Sequence, residues 1–316
     1  MLEIKNISFA YNQKKVLDNL DFQVAKGQNL AIIGESGCGK STLLKLIYGL
    51  YDLDEGEILF EKNPILGPKY KLIPGEDYIK YLAQDFDLMP FVTVGENVGK
   101  FLSNVFKDKK QERIMELLQI VEMTEFVNTK AKYLSGGQMQ RIAIARVLAL
   151  EPEILLLDEP FSHIDNFRKN ALRRNVFAYL KQKNITCIVA THDSSDVLSF
   201  SDETIVLQDG KILIKGNSHE IYSNPSTKYI ASLYGEVTEL KSSQLHKTNG
   251  NDKVILLYPH QLKMTENGLL EVTVKKSYFK GNHYLIEAFL DEKPVFFENK
   301  FSLAFGEKVS LSILEH

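Results

Sequence analysis

The chain has 316 residues, a length that favours two domains, and its 44% hydrophobic and 25% charged residues describe a globular rather than a disordered or fibrous protein. The net charge of −3 provides no basic surface for nucleic acid or for an anionic membrane. Only two cysteines occur, Cys38 and Cys187, which argues against a disulfide framework and indicates a reducing compartment.

The hydrophobic segments are short. The amino terminus has no signal-peptide pattern, and no run approaches about 18 apolar residues. The longest apolar run, ILLL at residues 154–157, is long enough only for a strand. We therefore expect a cytoplasmic chain that associates with a membrane only through a partner.

Residues 1–235 alternate short apolar runs with helical patterns, which predicts an α/β domain around a parallel sheet. Residues 85 to about 150 have a mostly helical pattern and predict a helical subdomain inserted between the third and fourth strands. The predicted strands are residues 2–9, 28–34, 78–84, 153–158, 185–192 and 203–208.

Residues 236–316 have a different character. Residues 239–252 are polar and predict a loop, and from residue 253 onward the pattern is β throughout, with Gly, Asn and Asp at the turns. About five strands in so short a segment predict a small all-β barrel or sandwich.

The stretch GESGCGKST, at residues 34–42, matches the phosphate-loop pattern GxxxxGKS/T and lies between a predicted strand and a predicted helix. Glycines allow backbone N–H groups to approach phosphates, and the helix amino terminus adds positive potential. Lys40 is expected to reach the β- and γ-phosphates, Ser41 to bind Mg²⁺, and Thr42 to contact the α-phosphate. The predicted nucleotide-binding residues are Gly34, Glu35, Ser36, Gly37, Cys38, Gly39, Lys40, Ser41 and Thr42.

A carboxylate pair follows the apolar run at residues 154–157. Open α/β sheets bind ligands at the carboxyl ends of their strands, so both side chains are expected beside the phosphate loop. Asp158 is expected to orient Mg²⁺ through water, and Glu159 to act as general base on the attacking water.

A second glycine-rich helix start lies in YLSGGQMQR, at residues 133–141. Its LSGGQ stretch (Leu134, Ser135, Gly136, Gly137 and Gln138) is the signature sequence of the nucleotide-binding subunits of ABC transporters, without a mismatch. Three further motifs occur in the order that is usual in that family. They are YLAQD, which contains Gln84, SHID, which follows Glu159, and VATHD, which contains His192. On these motifs residues 2 to about 235 resemble the family, whose fold is a P-loop NTPase with a helical subdomain.

The resemblance implies a head-to-tail homodimer in which each signature caps the ATP that the other subunit's phosphate loop holds. It implies that Gln84 contacts Mg²⁺ and the attacking water, that His192 contacts the γ-phosphate, and that Tyr11 stacks on adenine. It also implies that Asp165 lies at the dimer interface. A plain helix N-cap by Ser135 is compatible with this function.

Several positions depart from the family pattern or carry their own expectation. His163 stands where alanine is usual, and residues 62–77 follow no pattern that we can assign. Glu35 is expected to face solvent, because a carboxylate aimed at phosphates would repel them. The Cys38 thiolate is expected to be favoured beside Lys40 and a helix amino terminus. Cys187 is expected to be buried.

The stretches GNSHEIYSNPSTKYIASLYGE, at residues 216–236, and LLYPHQLKM, at residues 256–264, resemble the linker and the TOBE-type, OB-like β domain of importer ATPases. The short carboxyl-terminal segment resembles the branch that imports ferric iron, polyamines or oxyanions. The resemblance implies an ATPase with ATP and Mg²⁺ that drives solute uptake from the cytoplasmic face of the membrane. Its expected partners are a second copy, membrane permease subunits and, indirectly, a solute-binding protein; no nucleic acid is expected. The alternatives are a soluble ABC-type ATPase acting on nucleic acid or ribosomes, and an exporter-type ATPase.

Overall fold

The computed structural model describes residues 1–245 and 253–314. The chain forms two compact units, Met1–Ser218 and His219–His316. In the described ranges, none of the helices combines the length and the apolar character that crossing a bilayer requires.

The first unit contains two sheets and the helices that flank them. Its strands are β1 (Leu2–Tyr11), β2 (Lys14–Val24), β3 (Asn29–Ile33), β4 (Glu55–Phe60), β5 (Asn63–Pro64), β6 (Ile79–Leu82), β7 (Ile154–Asp158), β8 (Thr186–Thr191), β9 (Glu203–Gln208) and β10 (Lys211–Asn217). Its helices are α1 (Lys40–Ile47), α2 (Val94–Val98), α3 (Lys107–Ile120), α4 (Gly136–Leu148), α5 (Asn166–Gln182) and α6 (Ser194–Phe200), with 3-10 turns at Thr124–Phe126 and Ala131–Tyr133.

The larger sheet has the order β10-β9-β3-β8-β7-β6, and all neighbouring pairs except β10 with β9 are parallel. Strands β3, β7 and β8 are buried along their whole length, which explains their continuous apolar character. Ile33 lies opposite Thr191, and Asp158 lies opposite Ala190. The segments that follow β3, β7 and β8 therefore leave the sheet at one edge.

The smaller sheet is antiparallel, in the order β2-β1-β4-β5. The predicted strand at residues 2–9 belongs here and not to the parallel sheet. Strands β2, β4, β5 and β10 were not predicted from the sequence. Strand β10 shows why, because its residues alternate between exposed and half-buried and include no fully buried position.

The predicted helical subdomain corresponds to α2, α3 and α4. One face of α3 and the residue that follows this helix are buried, at Ile114, Leu117, Leu118 and Val121. They pack in the same core as Ile142 of α4. This places the amino terminus of α4, and with it the signature sequence, on a helix supported by a continuous apolar core.

The strands of the second unit are β11 (Thr238–Lys241), β12 (Val254–Leu257), β13 (Leu262–Met264), β14 (Leu270–Phe279), β15 (Tyr284–Leu290), β16 (Lys293–Asn299) and β17 (Lys308–Ile313). Its helices are α7 (Ser218–Ser223, beginning at the last residue of the first unit), α8 (Lys228–Ser232) and α9 (Ser242–Leu245), with a 3-10 turn at Pro259–Gln261. Five of these strands form an antiparallel sheet in the order β13-β17-β14-β15-β16. The edge strands β13 and β16 approach each other, so the sheet curls into an OB-like half-barrel.

Two predictions on this part of the chain differ from the structure. The predicted loop at 239–252 begins instead with strand β11 and helix α9, and its residues 246–252 lie outside the described residues. Residues 219–235, which the sequence prediction placed in the ATP-binding domain, pack with the second unit. The Tyr222 and Tyr258 rings stack with centroids 4.5 Å apart, and the Tyr258 hydroxyl donates to the Ala231 carbonyl.

Candidate nucleotide site

The loop between β3 and α1 has the geometry of a phosphate loop. Gly37 and Gly39 have φ values of 86° and 110°, a left-handed conformation that a side chain would strain. At Gly39 an added Cβ would also lie 2.6 Å from Leu17 Cδ2. The buried Lys40 ammonium donates to the carbonyls of Gly34 (2.7 Å) and Glu35 (3.0 Å). The cation is therefore held within the turn of the loop, beside the amino terminus of α1.

Asp158 lies at the end of β7 and faces the start of α1. The Ser41 hydroxyl donates to Asp158 Oδ1 at 2.9 Å, and the Tyr81 hydroxyl donates to Asp158 Oδ2 at 3.2 Å. Burial, together with the Asp158 charge, raises the pKa of Tyr81 far above its usual value, so Tyr81 remains a donor. Sequence reasoning missed Tyr81, since a tyrosine within a strand does not indicate where its hydroxyl points.

Glu159 is held in an unfavourable backbone conformation next to Asp158. Its φ is 51°, in the left-handed region that non-glycine residues seldom adopt. Its N–H donates to the Ala190 carbonyl at 2.9 Å, and its Oε2 lies 2.8 Å from His192 Nδ1. Two side chains predicted from different motifs are thus in direct contact.

A cleft of about 230 Å³ joins these elements. Its lining residues are Val16, Ser36, Gly37, Gly39, Lys40, Ser41, Thr42, Gln84, Asp158 and Glu159. Val16 was not predicted, because an apolar residue in a β2 pattern carries no sign of a ligand. His192 does not line the cleft directly but reaches it through Glu159.

Tyr11 lies at the end of β1, near the start of α1. Its ring packs edge-on against Phe9 and Tyr51, at centroid distances of 4.8 and 5.5 Å, and 38% of the residue is exposed. Burial, followed by its contact with Tyr51, raises the pKa of the Tyr11 hydroxyl, which also contacts Thr42. The ring is close enough to the phosphate loop for a base-stacking role, which stays a prediction.

The signature sequence lines a different cavity, of about 460 Å³. Its lining residues are Ser135, Gly136, Gly137, Gln138, Arg141, His163, Ile164, Asp165, Phe167 and Arg168, none of which lines the phosphate-loop cleft. Ser135 caps α4: its hydroxyl accepts from the Gln138 N–H, and Gln138 Oε1 accepts from the Ser135 N–H. Within one subunit, therefore, the signature and the phosphate loop do not share a site.

The expectations for the phosphate-loop side chains had mixed outcomes. Glu35 is exposed, as predicted. The prediction that the Cys38 thiolate is favoured is wrong, because burial raises the pKa of the thiol more than the charge of Lys40 lowers it. Cys187 is fully buried within β8, as predicted, and burial raises its pKa strongly.

A buried charge network behind His192 was not predicted. Arg173 of α5, only 2% exposed, contacts the carboxylates of Asp193 and Asp196. Burial opposes ionisation of Asp193, but hydrogen bonds from Arg173 and the Ser195 N–H leave its pKa below the usual range. For Asp196 burial dominates and raises the pKa. The network fixes the chain on the carboxyl side of His192 to α5.

Across the described ranges, no three His, Cys, Asp or Glu side chains converge as a metal site. Ser41 and Asp158, whose oxygens lie 2.9 Å apart, carry hard oxygen ligands of the kind that Mg²⁺ prefers.

Comparison with known proteins finds a matching family and similar sequences. Residues 17–162 match the family described as ABC transporter. The Fe(3+) ions import ATP-binding protein FbpC of Mannheimia succiniciproducens is 30% identical over 91% of this chain and 87% of its own length. The spermidine/putrescine import ATP-binding protein PotA of Clostridioides difficile is 33% identical over 91% of this chain and 88% of its own length.

Solved structures agree on the fold of the first unit. The dimeric post-hydrolysis structure of the ATP-binding cassette MJ0796, bound to ADP and Pi, has a TM-score of 0.61 at 29% identity and covers 69% of this chain and 99% of that one. CbiO1 of Clostridium perfringens, part of the ABC transporter complex cbiONQ, has a TM-score of 0.62 at 28% identity over 71% of this chain and 90% of that one.

Proposed function

Because the chain belongs to the ATP-binding subunits of ABC transporters and is the ATP-hydrolysing motor of an importer, we propose how its residues act and what it assembles with. The residue assignment rests on one observation: Asp158, Glu159 and His192 lie beside the phosphate loop at one edge of the sheet. Asp158 is bonded to Ser41 at 2.9 Å, and Glu159 lies 2.8 Å from His192.

ATP binds with its phosphates against the loop of residues 34–42. Lys40 exchanges its two carbonyl partners for β- and γ-phosphate oxygens, and Thr42 contacts the α-phosphate. Tyr11 stacks on the adenine ring from the end of β1. The positive potential of the loop and of the amino terminus of α1 balances the phosphate charge.

Hydrolysis is an attack by water on the γ-phosphorus, in line with the leaving ADP oxygen. Glu159 accepts the proton of the water, and the bond between the γ-phosphorus and the bridging oxygen breaks, with its electron pair leaving on ADP. His192 contacts the γ-phosphate and holds the Glu159 carboxylate by their mutual contact. Lys40 stabilises the charge on the transferred group.

Mg²⁺ fits the oxygens of Ser41 and Asp158, with Gln84 at the end of the adjacent strand. When bound, Mg²⁺ would neutralise charge on the β- and γ-phosphates. Tyr81 holds the second oxygen of Asp158, so the carboxylate keeps one oxygen directed at Ser41.

Glu159→Gln tests the assignment of the base. The carboxamide keeps the shape of the side chain but cannot accept the proton, so the rate of hydrolysis should fall by about 10²–10⁴-fold. ATP affinity should persist, and an ATP-bound dimer should accumulate on gel filtration. Glu153→Gln is the control, because Glu153 lies just before the same strand β7 and its carboxylate pairs with Lys26. A wild-type rate in Glu159→Gln would remove Glu159 from this role.

The two separate cavities support a head-to-tail homodimer, in which Ser135 and the N–H groups of Gly136 and Gly137 cap the partner's γ-phosphate and Asp165 lies at the interface. Mixing Lys40→Ala with Ser135→Arg subunits tests this arrangement. Each mixed dimer would have one site with both lesions and one with neither. Recovered ATPase activity on mixing supports the shared site, whereas a site within one subunit could not be complemented.

The chain acts at the cytoplasmic face of the membrane, bound to permease subunits that receive solute from a solute-binding protein. An exposed aromatic surface around Phe91 and Tyr133 supports such docking: the two residues are 72% and 69% exposed, and the Lys132 ammonium lies over both rings. Phe91→Ser should abolish stimulation of ATPase activity by reconstituted permease and leave basal activity intact. Phe301→Ser, another exposed aromatic, is the control.

The solute belongs to the ferric iron, polyamine or oxyanion class. The relatives reported above are named for two cations, ferric ion and spermidine or putrescine, and this favours a cationic solute. Binding of each candidate to the solute-binding protein that co-purifies with the permease tests the class. Binding of oxyanions alone would contradict the cationic choice.

A further inference from the structure

We propose that Gln140 is a positioning residue that joins the signature helix to the main chain of Glu159, so that one subunit's contact with its partner's ATP and the aim of its own general base are set together. The inference rests on the proposed roles of Ser135 and Glu159. The Gln140 side chain lines neither the phosphate-loop cleft nor the signature cavity.

Gln140 lies on α4, in the helix that Ser135 caps, and is only 2% exposed. Its Nε2 donates to the Glu159 carbonyl at 2.9 Å, and its Oε1 accepts from the His163 N–H at 3.0 Å. Both ends of one buried amide are therefore bonded to the main chain on either side of the turn that follows Glu159. A buried amide satisfied in this way fixes the separation between helix and turn.

The conformation of Glu159 shows why such a support is needed. A left-handed backbone at a non-glycine residue persists only where the surroundings hold it. The Ala190 carbonyl holds the Glu159 N–H, and Gln140 together with the Ser162 hydroxyl (3.0 Å) holds the Glu159 carbonyl. Ser162 belongs to the same turn as Glu159, so Gln140 supplies the bond from outside it.

A second contact joins the same two elements. A Cβ at Gly137 would lie 2.7 Å from the His163 carbonyl oxygen, so glycine is required there for α4 to approach the turn. The His163 ring in turn packs edge-on against Phe86, with centroids 5.3 Å apart, in the segment that follows Gln84. Helix α4 and the turn after Glu159 therefore form one body, and a displacement of Ser135 must be accompanied by a change at Glu159.

Gln140→Glu is the sharpest test, because it keeps the shape and the acceptor for His163 but replaces the donor to Glu159 by an oxygen. With the glutamate ionised, we expect kcat to fall by about 10–100-fold, as for small misplacements of a catalytic group, with the KM for ATP unchanged. Burial raises the pKa of a carboxyl, and the protonated acid can donate again. The ratio of variant to wild-type kcat should therefore rise as the pH falls.

Gln140→Met lacks both bonds and should lose kcat without recovery at low pH. Asn97→Asp is the matched control, since Asn97 is a fully buried amide of the same helical subdomain that bonds the main chain at Met89 and Thr93. It should keep the kcat and pH profile of the wild type. A wild-type kcat in Gln140→Glu, or a loss of the same size at every pH, would overturn the proposal.

Mixed dimers with one Lys40→Ala subunit locate the effect. Gln140→Glu in the subunit with intact Lys40 affects the Glu159 that acts, and should reduce kcat. The same substitution in the Lys40→Ala subunit affects only the capping signature, and should cost less. A loss confined to the second arrangement would mean that Gln140 supports the signature helix alone. Glu159→Gln run in parallel separates this failure from failure of the base assignment itself.

Discussion

The phosphate loop and the signature sequence both begin a helix with glycines, but the glycines differ in backbone conformation and the helices differ in how they are capped. Gly37 and Gly39 have left-handed φ values, and α1 has no side-chain cap. Gly136 and Gly137 have no positive φ, and α4 is closed by the capping box of Ser135 and Gln138. In the first loop glycine allows the left-handed backbone turn that precedes α1. In the signature sequence glycine leaves the first turn of a regular helix without side chains at two positions.

The two signature glycines also differ from each other. An added Cβ at Gly136 would meet no atom within 4 Å, whereas at Gly137 it would meet the His163 carbonyl. Packing within the subunit therefore explains why glycine is needed at position 137 but gives no reason for glycine at position 136. This difference favours a role for Gly136 toward something outside the subunit, in line with the proposed partner's phosphate.

The largest expected difference between the two loops is in nucleotide binding. Lys40→Ala removes a cation from the phosphate site and should weaken ATP affinity by about 10–100-fold, the range for a charged hydrogen bond. Ser135→Arg should leave ATP affinity unchanged and abolish ATP-dependent dimerisation. Calorimetric titration and gel filtration measure the two effects. Equal loss of affinity in both variants would mean that the loops bind nucleotide in the same subunit.

Backbone conformation should separate the loops in stability. Gly39→Ala places a Cβ in a left-handed conformation, which costs about 1–2 kcal/mol, and against Leu17. Gly136→Ala should instead raise the free energy of unfolding slightly, by less than about 1 kcal/mol, because alanine favours the helix. Urea unfolding without nucleotide measures both. A cost at Gly136 comparable to that at Gly39 would contradict the distinction.

The cap of α4 should have a smaller effect. Ser135→Ala removes the acceptor for the Gln138 N–H and should lower the free energy of unfolding by about 1 kcal/mol. Ser135→Thr keeps a hydroxyl and should retain most of that stability. If both variants unfold like the wild type, the serine is needed only for the partner's nucleotide and not as a cap.

The smallest effect concerns the electrostatics of the phosphate loop at Cys38. Because burial raises the pKa of this thiol, maleimide labelling should be slow at pH 7. As long as the pH stays below that pKa, each increase of one pH unit should raise the labelling rate about tenfold, because the thiolate fraction grows. Cys187, within β8, should label more slowly still. Peptide mapping after brief labelling distinguishes them. Fast, pH-independent labelling of Cys38 near neutrality would mean that the positive potential outweighs burial.

The sequence by itself determined the chemistry and the class of fold. The phosphate loop, the carboxylates at 158–159 and the signature are local patterns, and each depends on a few consecutive residues whose backbone and charge are needed together. The buried strands β3, β7 and β8 could likewise be predicted from the sequence, because a strand covered on both faces is apolar throughout. The LSGGQ stretch also indicated the family before any contact was known.

Only the tertiary structure decided how distant segments meet. The hydrogen bond from Tyr81 to Asp158, the Arg173 network and the bonds of Gln140 to Glu159 and His163 join residues far apart in sequence, and a polar side chain does not reveal its partner. Strand β10 escaped prediction because it has no fully buried position, so its place in the sheet comes from pairing with β9 and not from apolar content. At Cys38 the sequence indicated a charge effect that the surrounding burial reverses, since desolvation depends on every atom packed around the sulfur.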